Sequence, residues 1–327
     1  MTSPPDDRLT LISRPAAGSV FGDYRARKSG NTLRRQKTDL ARFCEFLAAA
    51  GRRVGDLAND PGAWAGITRE IVEAFRGWML DQGDAIRSVN ARLSTVKTYI
   101  RLAAEAGAVS AQQHAMIRTV SGFSPQEGRQ INQTREQTRR GHKKAAAVPI
   151  SDDQADRLKN QPDTPQGRRD ALLMCLLLDH GLRVGEVASL RVGDLDLIAG
   201  MMSLYRPRLD LRQTHKLTAD TLRAALAYFD AGDAPPATDA PLLRASRKGG
   251  VLTAAGMSER AITKRVRVLG ESAGLAGLSA HDCRRYWATY WAARVNPAQL
   301  KQAGGWASMT TVDRYIAASQ IAADGLA

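Results

Sequence analysis

Apolar positions recur at steps of three and four over most of this chain, the spacing of one helix face. After Asn31-Thr32, a good capping pair, Leu33, Leu40, Phe43 and Leu47 keep that spacing until Gly51, while Arg34, Arg35, Lys37 and Arg42 fill the opposite side. A second helix is predicted over about 68–81, with Ile71, Phe75, Trp78 and Met79 turned inward, and a third over about 88–106, with Val89, Leu93, Val96, Ile100 and Ala103. Together they predict a small helical bundle with short connections. The polar face of the third helix displays Asn90, Arg92, Ser94, Lys97, Thr98 and Arg101, cations mixed with short donors suited to phosphate oxygens; the alternative is a plain solvated face.

The pattern breaks over residues 122–147, where Arg129, Arg135, Arg139, Arg140, Lys143 and Lys144 face only Glu127 and Glu136. This stretch reads as a basic interdomain linker. Periodicity resumes after Ser151, which with Gln154 forms a capping box. An apolar helix ends at His180-Gly181, with Arg183 and Glu186 at the start of the next. The one convincing strand signal covers 194–197, 201–206 and 209–216, with a turn at Gly200. Further helices follow: one capped by Thr218, a basic one through Ile262, Val266 and Leu269, and one through His281, Arg284, Trp287 and Trp291. His281 and Arg284 stand three apart and so share a helix face. Asn296-Pro297 opens a short helix that Gly304-Gly305 closes, which leaves Trp306 on a turn; Thr310 and Asp313 bracket the start of a last helix carrying Tyr315.

Length and charge narrow the class. A chain of 327 residues exceeds one ordinary core, so two domains are expected: a flexible tail at 1–20, a helical domain at 21–121, the linker at 122–147 and a second domain at 148–327. The fold class is therefore mainly α, a helical bundle followed by a mostly helical domain with a small antiparallel β-sheet. A net charge of +14 favours a polyanionic partner. No apolar run approaches eighteen residues and the N-terminus lacks a secretory signal, so a cytoplasmic protein is expected. Cys44, Cys175 and Cys283 are scattered and the five histidines show no ligand spacing, which predicts reduced thiols and no metal site.

In order and spacing, the motifs resemble the tyrosine recombinase family, site-specific DNA recombinases of the phage-integrase type. The family's first arginine box, T-G-L-R-x-x-E-L, is similar to His180-Gly181-Leu182-Arg183-Val184-Gly185-Glu186-Val187, and its H-x-L-R-H box to His281-Asp282-Cys283-Arg284-Arg285. A Leu-Gly-His followed nine residues later by tyrosine resembles Gly304-Gly305-Trp306 and Tyr315. The resemblance runs from about residue 148 to the C-terminus, and the N-terminal half looks like the family's core-binding domain.

It implies a chemistry that the residues can carry. Arg183 and Arg284 would neutralise the nonbridging oxygens of a scissile phosphate, so that no metal or other cofactor is needed. Trp306 offers only an N–H donor, leaving His281 to exchange the proton of Tyr315. Tyr315 as nucleophile would store the bond energy as a 3′-phosphotyrosine, which a free 5′ hydroxyl can reverse without ATP. Glu186 would orient Arg183 or His281. Each residue has a plainer reading as well: Arg183 paired only with Glu186, Trp306 in the core, Tyr315 a buried phenol. Tryptophan replaces the family's usual histidine at 306. Arg208 stands in the β-turn where the family carries a lysine, and Lys216 is the nearest lysine that could serve the leaving group instead.

The resemblance further implies partners: double-stranded DNA with a specific recombination site, a homotetramer on that DNA, and accessory DNA-bending proteins, with the linker letting two domains close around the duplex. Arg92, Lys97, Arg101, Arg139, Arg140, Lys143 and Lys144 are the candidate DNA contacts. No membrane is expected, and the location would be cytoplasmic with the nucleoid. The expected function is DNA recombination and integration by a mobile-element enzyme. The alternatives are a sequence-specific DNA-binding protein weakened catalytically at Arg208, and a monomeric relaxase of topoisomerase type.

Overall fold

The computed structural model describes residues 17–140 and 146–324 and divides into two compact units, Met1–Lys144 and Ala145–Ala327. Lys143 and Lys144 lie outside the described residues, as does most of the predicted tail, whose last residues belong to the first helix.

The first unit is helical: α1 (Ala17–Ala26), α2 (Gly30–Ala49), α3 (Arg69–Asp81), α4 (Ile86–Glu105), α5 (Ala111–Arg118) and α6 (Pro125–Thr134). Its core is aromatic, with Phe43 edge-on to Phe75 at 4.8 Å between ring centres and Trp64 donating its indole N–H to the Leu57 carbonyl at 2.9 Å. The long helix α2 starts earlier than Asn31, because Ser29 accepts the Thr32 N–H and caps it. Helix α6 occupies the first half of the segment read as a linker. Ser124 and Glu127 form a capping box around Pro125, and Gly128 lies flat on Ile86, where a Cβ would come within 3.0 Å. Gly128 is the one buried residue of α6, so the helix carries no apolar stripe for periodicity to detect.

The second unit contains α7 (Asp152–Lys159), α8 (Pro165–Leu178), α9 (Val184–Ser189), β1 (Leu195–Asp196), β2 (Met201–Arg206), β3 (Leu211–Lys216), α10 (Ala219–Asp230), β4 (Arg244–Ser246), β5 (Leu252–Gly256), α11 (Glu259–Ser272), α12 (Ala280–Ala292), α13 (Pro297–Gly304) and α14 (Met309–Asp324). Helix α8 is its axis: Leu172 through Leu178 are buried without a gap, so it is covered on every side. Strands β1, β2 and β3 form an antiparallel sheet in that order, with Met201 opposite Lys216 and Arg206 opposite Leu211. The alternation of β2 turns Met202, Leu204 and Arg206 inward. A second hairpin, β4–β5, was not expected; strands of three and five residues are too short to show alternation. Helix α14 begins at Met309, with the Thr310 N–H donating to Ser308 Oγ, so Ser308 takes the capping part expected of Thr310.

Candidate active site

The end of α13 gathers the site. Asn296 and Gln299 box its start, Pro297 fixes its first turn, and Gly305 ends it in the left-handed conformation at φ 58°. Backbone carbonyls at a helix end lack intrahelical donors and carry partial negative charge. Here four consecutive ones are met by four side chains from four elements. Gln213 Nε2 of β3 donates to the Gln302 carbonyl at 2.8 Å, and Arg206 Nη2 of β2 to Ala303 at 2.6 Å. Arg284 Nη2 of α12 donates to Gly304 at 2.5 Å, and Arg183 Nη2, ahead of α9, to Gly305 at 3.3 Å. Three arginines, the outermost pair about a hundred residues apart in sequence, are thus drawn to one helix end.

Each guanidinium has a second anchor. Arg284 Nη1 donates to the Gly181 carbonyl, and Gly181 is required there: its φ is 59°, and a Cβ would strike the Trp287 ring at 2.4 Å. Arg183 Nη1 donates to Glu186 Oε1 at 2.7 Å, while the Arg183 backbone N–H donates to Oε2 at 2.8 Å. Since each Nη carries two N–H groups, these bonds leave donors on both arginines for an incoming oxyanion.

Trp306 links the arginines to the tyrosine. The Arg284 guanidinium lies 4.8 Å from the centre of its ring, and Tyr315 stacks on it at 5.3 Å with 29° between planes. Gly304 leaves room for that indole, since a Cβ would come within 2.4 Å of it. Trp287, Leu300 and Val312 hold the assembly from behind, and Tyr315 itself is half-buried. His281 sits in the first turn of α12, exposed, one helical turn before the buried Arg284. Of the other phenols, on α12, Tyr286 donates to Asp152 Oδ1 at 2.8 Å, and burial followed by that carboxylate pushes its pKa up, which disfavours the phenolate.

The electrostatics are unbalanced. Burial, then the neighbouring Arg183 charge, pushes the Arg284 guanidinium down to about 9, against a smaller opposing pull from Glu186. Burial alone would raise the Glu186 carboxyl, but Arg206 and Arg183 hold it below its ordinary value. Three guanidiniums therefore share one carboxylate, and the cluster gains from an added anion.

The leaving-group candidates are separated. Arg208 is exposed in the β2–β3 turn, whose Asp210 takes φ 50°. Lys216 pairs with Met201 at the other end of the hairpin and alternates onto the face opposite Arg206. Arg206, Gln213 and His215, which sequence reasoning passed over, are the hairpin residues that reach the site; strand parity counted from buried Met202 and Leu204 is the signal that could have found them.

In the first unit the α4 face is largely committed inward. Asn90 donates to and accepts from the Phe123 backbone, and Arg92 Nη1 meets Asp84 at 2.9 Å. Lys97 Nζ donates to the Arg118 and Val120 carbonyls, and Arg101 pairs with Glu105 while staying exposed. Arg139 and Arg140 are exposed.

Comparison with known proteins gives the family and the fold. The model of the phage integrase family matches residues 149–320, more than half of the chain, and the chain belongs to that family of tyrosine recombinases. It is similar to tyrosine recombinase XerC of Roseiflexus castenholzii, 30% identical over 169 residues that cover 52% of this chain and 46% of the relative. The match thus spans about half of that relative's length. XerC of Methylobacterium nodulans is 26% identical over 325 residues, covering 96% of this chain and 92% of the relative. Among solved structures, the Tn1549 transposon integrase in complex with circular intermediate DNA has the same fold at a TM-score of 0.60 and 15% identity, covering 95% of this chain and 99% of that one. Among the described residues no helix is long and apolar enough to cross a membrane.

Proposed function

We propose that this chain is a site-specific DNA recombinase that breaks and rejoins duplex DNA through a covalent 3′-phosphotyrosine at Tyr315, with neither metal nor ATP. The observation that carries the reading is the cation excess around Arg183 and Arg284, with Trp306 stacked between Arg284 and Tyr315. Tyr315 Oη attacks phosphorus and passes its proton to His281, while the bond to the 5′ oxygen breaks and that oxygen leaves as an alkoxide that takes up a proton from water. The two arginines neutralise the charge that grows on the nonbridging oxygens. Arg208, exposed on the β2–β3 turn, is the residue that meets the leaving oxygen once DNA is bound and acts on its charge, because a guanidinium holds its proton too tightly to be an efficient acid. Exchange proceeds as a tetramer on two duplexes bearing a specific site. Among the described residues, Arg101, Arg139 and Arg140 are the exposed members of the DNA-contacting set.

A second reading, a DNA-binding protein with crippled cleavage, rests on Arg208 standing where the family resemblance expects lysine. One experiment separates the two. Duplexes selected from a random pool for binding are nicked, incubated with the protein in excess EDTA and run on a denaturing gel. A covalent adduct that disappears in Tyr315→Phe, with affinity retained, is the expected result. No adduct from the parent on any bound sequence leaves the binder; an adduct that survives in Tyr315→Phe refutes the nucleophile.

A further inference from the structure

Arg206 is a fully buried cation for which the mechanism above has no part. It ends β2 on the inward side, and all three of its nitrogens are engaged. Nε donates to Gln213 Oε1 at 2.8 Å, Nη1 to Glu186 Oε2 at 2.6 Å, and Nη2 to the Ala303 carbonyl at 2.6 Å, with His215 Nε2 a further 3.4 Å neighbour. Gly305 closes over it, since a Cβ there would come within 2.9 Å of its Nε at a backbone φ of 58°. Arg206 is therefore held from three sides and is not offered to a ligand. What it touches matters more: Glu186 Oε2, on the same carboxylate whose other oxygen binds Arg183 Nη1 at 2.7 Å.

A buried carboxylate shared with one arginine would cancel that arginine's charge, and a cancelled Arg183 has little to give a phosphate. We propose that Arg206 is a positioning residue that neutralises Glu186, so that Glu186 orients Arg183 without silencing it, and cleavage depends on Arg206 although it never meets DNA. The inference rests on the recombinase reading above. Two directions of charge agree with it: Arg206 is the leading attraction holding the Glu186 carboxyl low, and Glu186 is the leading attraction opposing the burial that pushes Arg206 down. The rival is that Arg206 merely ties β2 to the end of α13 through Ala303.

The two differ in how they respond to Glu186. If Arg206 acts by neutralising the carboxylate, removing the carboxylate's charge makes Arg206 dispensable. If it acts as a tie, its loss is felt equally with or without Glu186. The test measures single-turnover adduct formation on nicked duplex at saturating protein, with DNA affinity in parallel, for the parent, Arg206→Met, Glu186→Gln and the double variant. Expected is a drop of at least tenfold for Arg206→Met in the parent background at unchanged affinity, and of less than threefold when Arg206→Met is added to Glu186→Gln. Arg206→Met leaves a buried carboxylate half-partnered and can fail to fold. The comparison of Glu186→Gln with the double variant, in which that charge is gone, then decides alone. A tenfold loss in that second comparison overturns the proposal, as does a parent-like rate for Arg206→Met. Absence of adduct from the parent itself overturns the recombinase reading, and this inference with it.

Discussion

The two units each hold a cluster of buried and half-buried arginines, and the clusters are built on opposite principles. In the first unit Arg42 and Arg92 meet Asp84, with Glu45 beside Arg42 and Asp39 near Arg92, so two cations face three carboxylates. Thr95 donates to Asp39 as well, and the group knits α2 to α4. In the second unit, among the described residues, Arg183, Arg206 and Arg284 have Glu186 as their one carboxylate, and their remaining partners are neutral: carbonyls at the end of α13 and at Gly181, and the Gln213 amide. Carbonyl oxygens satisfy hydrogen bonds without cancelling charge. A cluster whose cations are all met by carboxylates is complete as it stands and serves the fold, while a cation-rich one held rigid by neutral acceptors is preorganised for an anion.

The sharpest break between the two comes from deleting one member of each. Arg284→Ala is expected to slow cleavage by about 10³-fold, the scale of losing one preorganised donor to a developing oxyanion, as read from the rate of adduct formation. Asp84→Ala, in the carboxylate-matched cluster, should instead cost about 3 kcal/mol of stability in urea unfolding, since it takes from Arg42 and Arg92 the carboxylate they share. Its cleavage rate per folded molecule should stay within about twofold, because that cluster has no part in the chemistry. A cleavage defect in Asp84→Ala larger than its stability loss explains would contradict the division.

Acid acts on the second unit through its histidines. His180 and His215 lie 6.0 Å apart beside Arg206, and burial first, then the Arg206 charge, lowers both to about 4 from 6.5. The folded state thus resists a proton that the unfolded chain accepts. Stability from this source is fully present above about 6.5 and is lost as pH falls toward about 4. For His180 alone the loss is about 3 kcal/mol across that window. Urea midpoints at pH 7 and pH 4.5 measure it, and His180→Gln should flatten the difference.

Smaller effects are expected at the β2–β3 hairpin. Arg208→Ala should slow cleavage about 10-fold to 100-fold, the range for a hydrogen bond to a charged group, and sulfur in place of the bridging 5′ oxygen should restore the rate because a thiolate, a much weaker base than an alkoxide, leaves without a cation to hold its charge. Lys216→Ala, on the opposite face and at the far end, should change the rate less than about twofold. Rescue by sulfur in Lys216→Ala would transfer the role to that lysine.

Local signals predicted much of this. The capping box at Ser151, the Asn296-Pro297 start, the Gly305 stop and the arginine ahead of Glu186 are all short-range chemistry, and the structure has each. What escaped depends on partners distant in sequence. Asn90 and Lys97 read as donors free for phosphate because nothing nearby shows that α4 latches the 118–123 backbone. Arg206 drew no reading of its own, although its parity with Met202 and Leu204 sets it inward, because its acceptors lie in residues 186, 213 and 303. Helix α6 was hidden by its own polarity, being held by a capping box and a flat glycine contact instead of an apolar stripe.

The central claim, that the cation-rich cluster exists for the charge of a phosphodiester, is tested most directly by removing that charge. Nicked duplexes carrying a methylphosphonate at the scissile position present a neutral phosphorus centre, and adduct formation on them can be compared between the parent and Arg284→Ala. The account predicts that the penalty for losing Arg284, about 10³-fold on the natural phosphate, shrinks to about tenfold or less on the neutral one. An undiminished penalty would contradict it, making Arg284 a strut between Gly181 and Gly304.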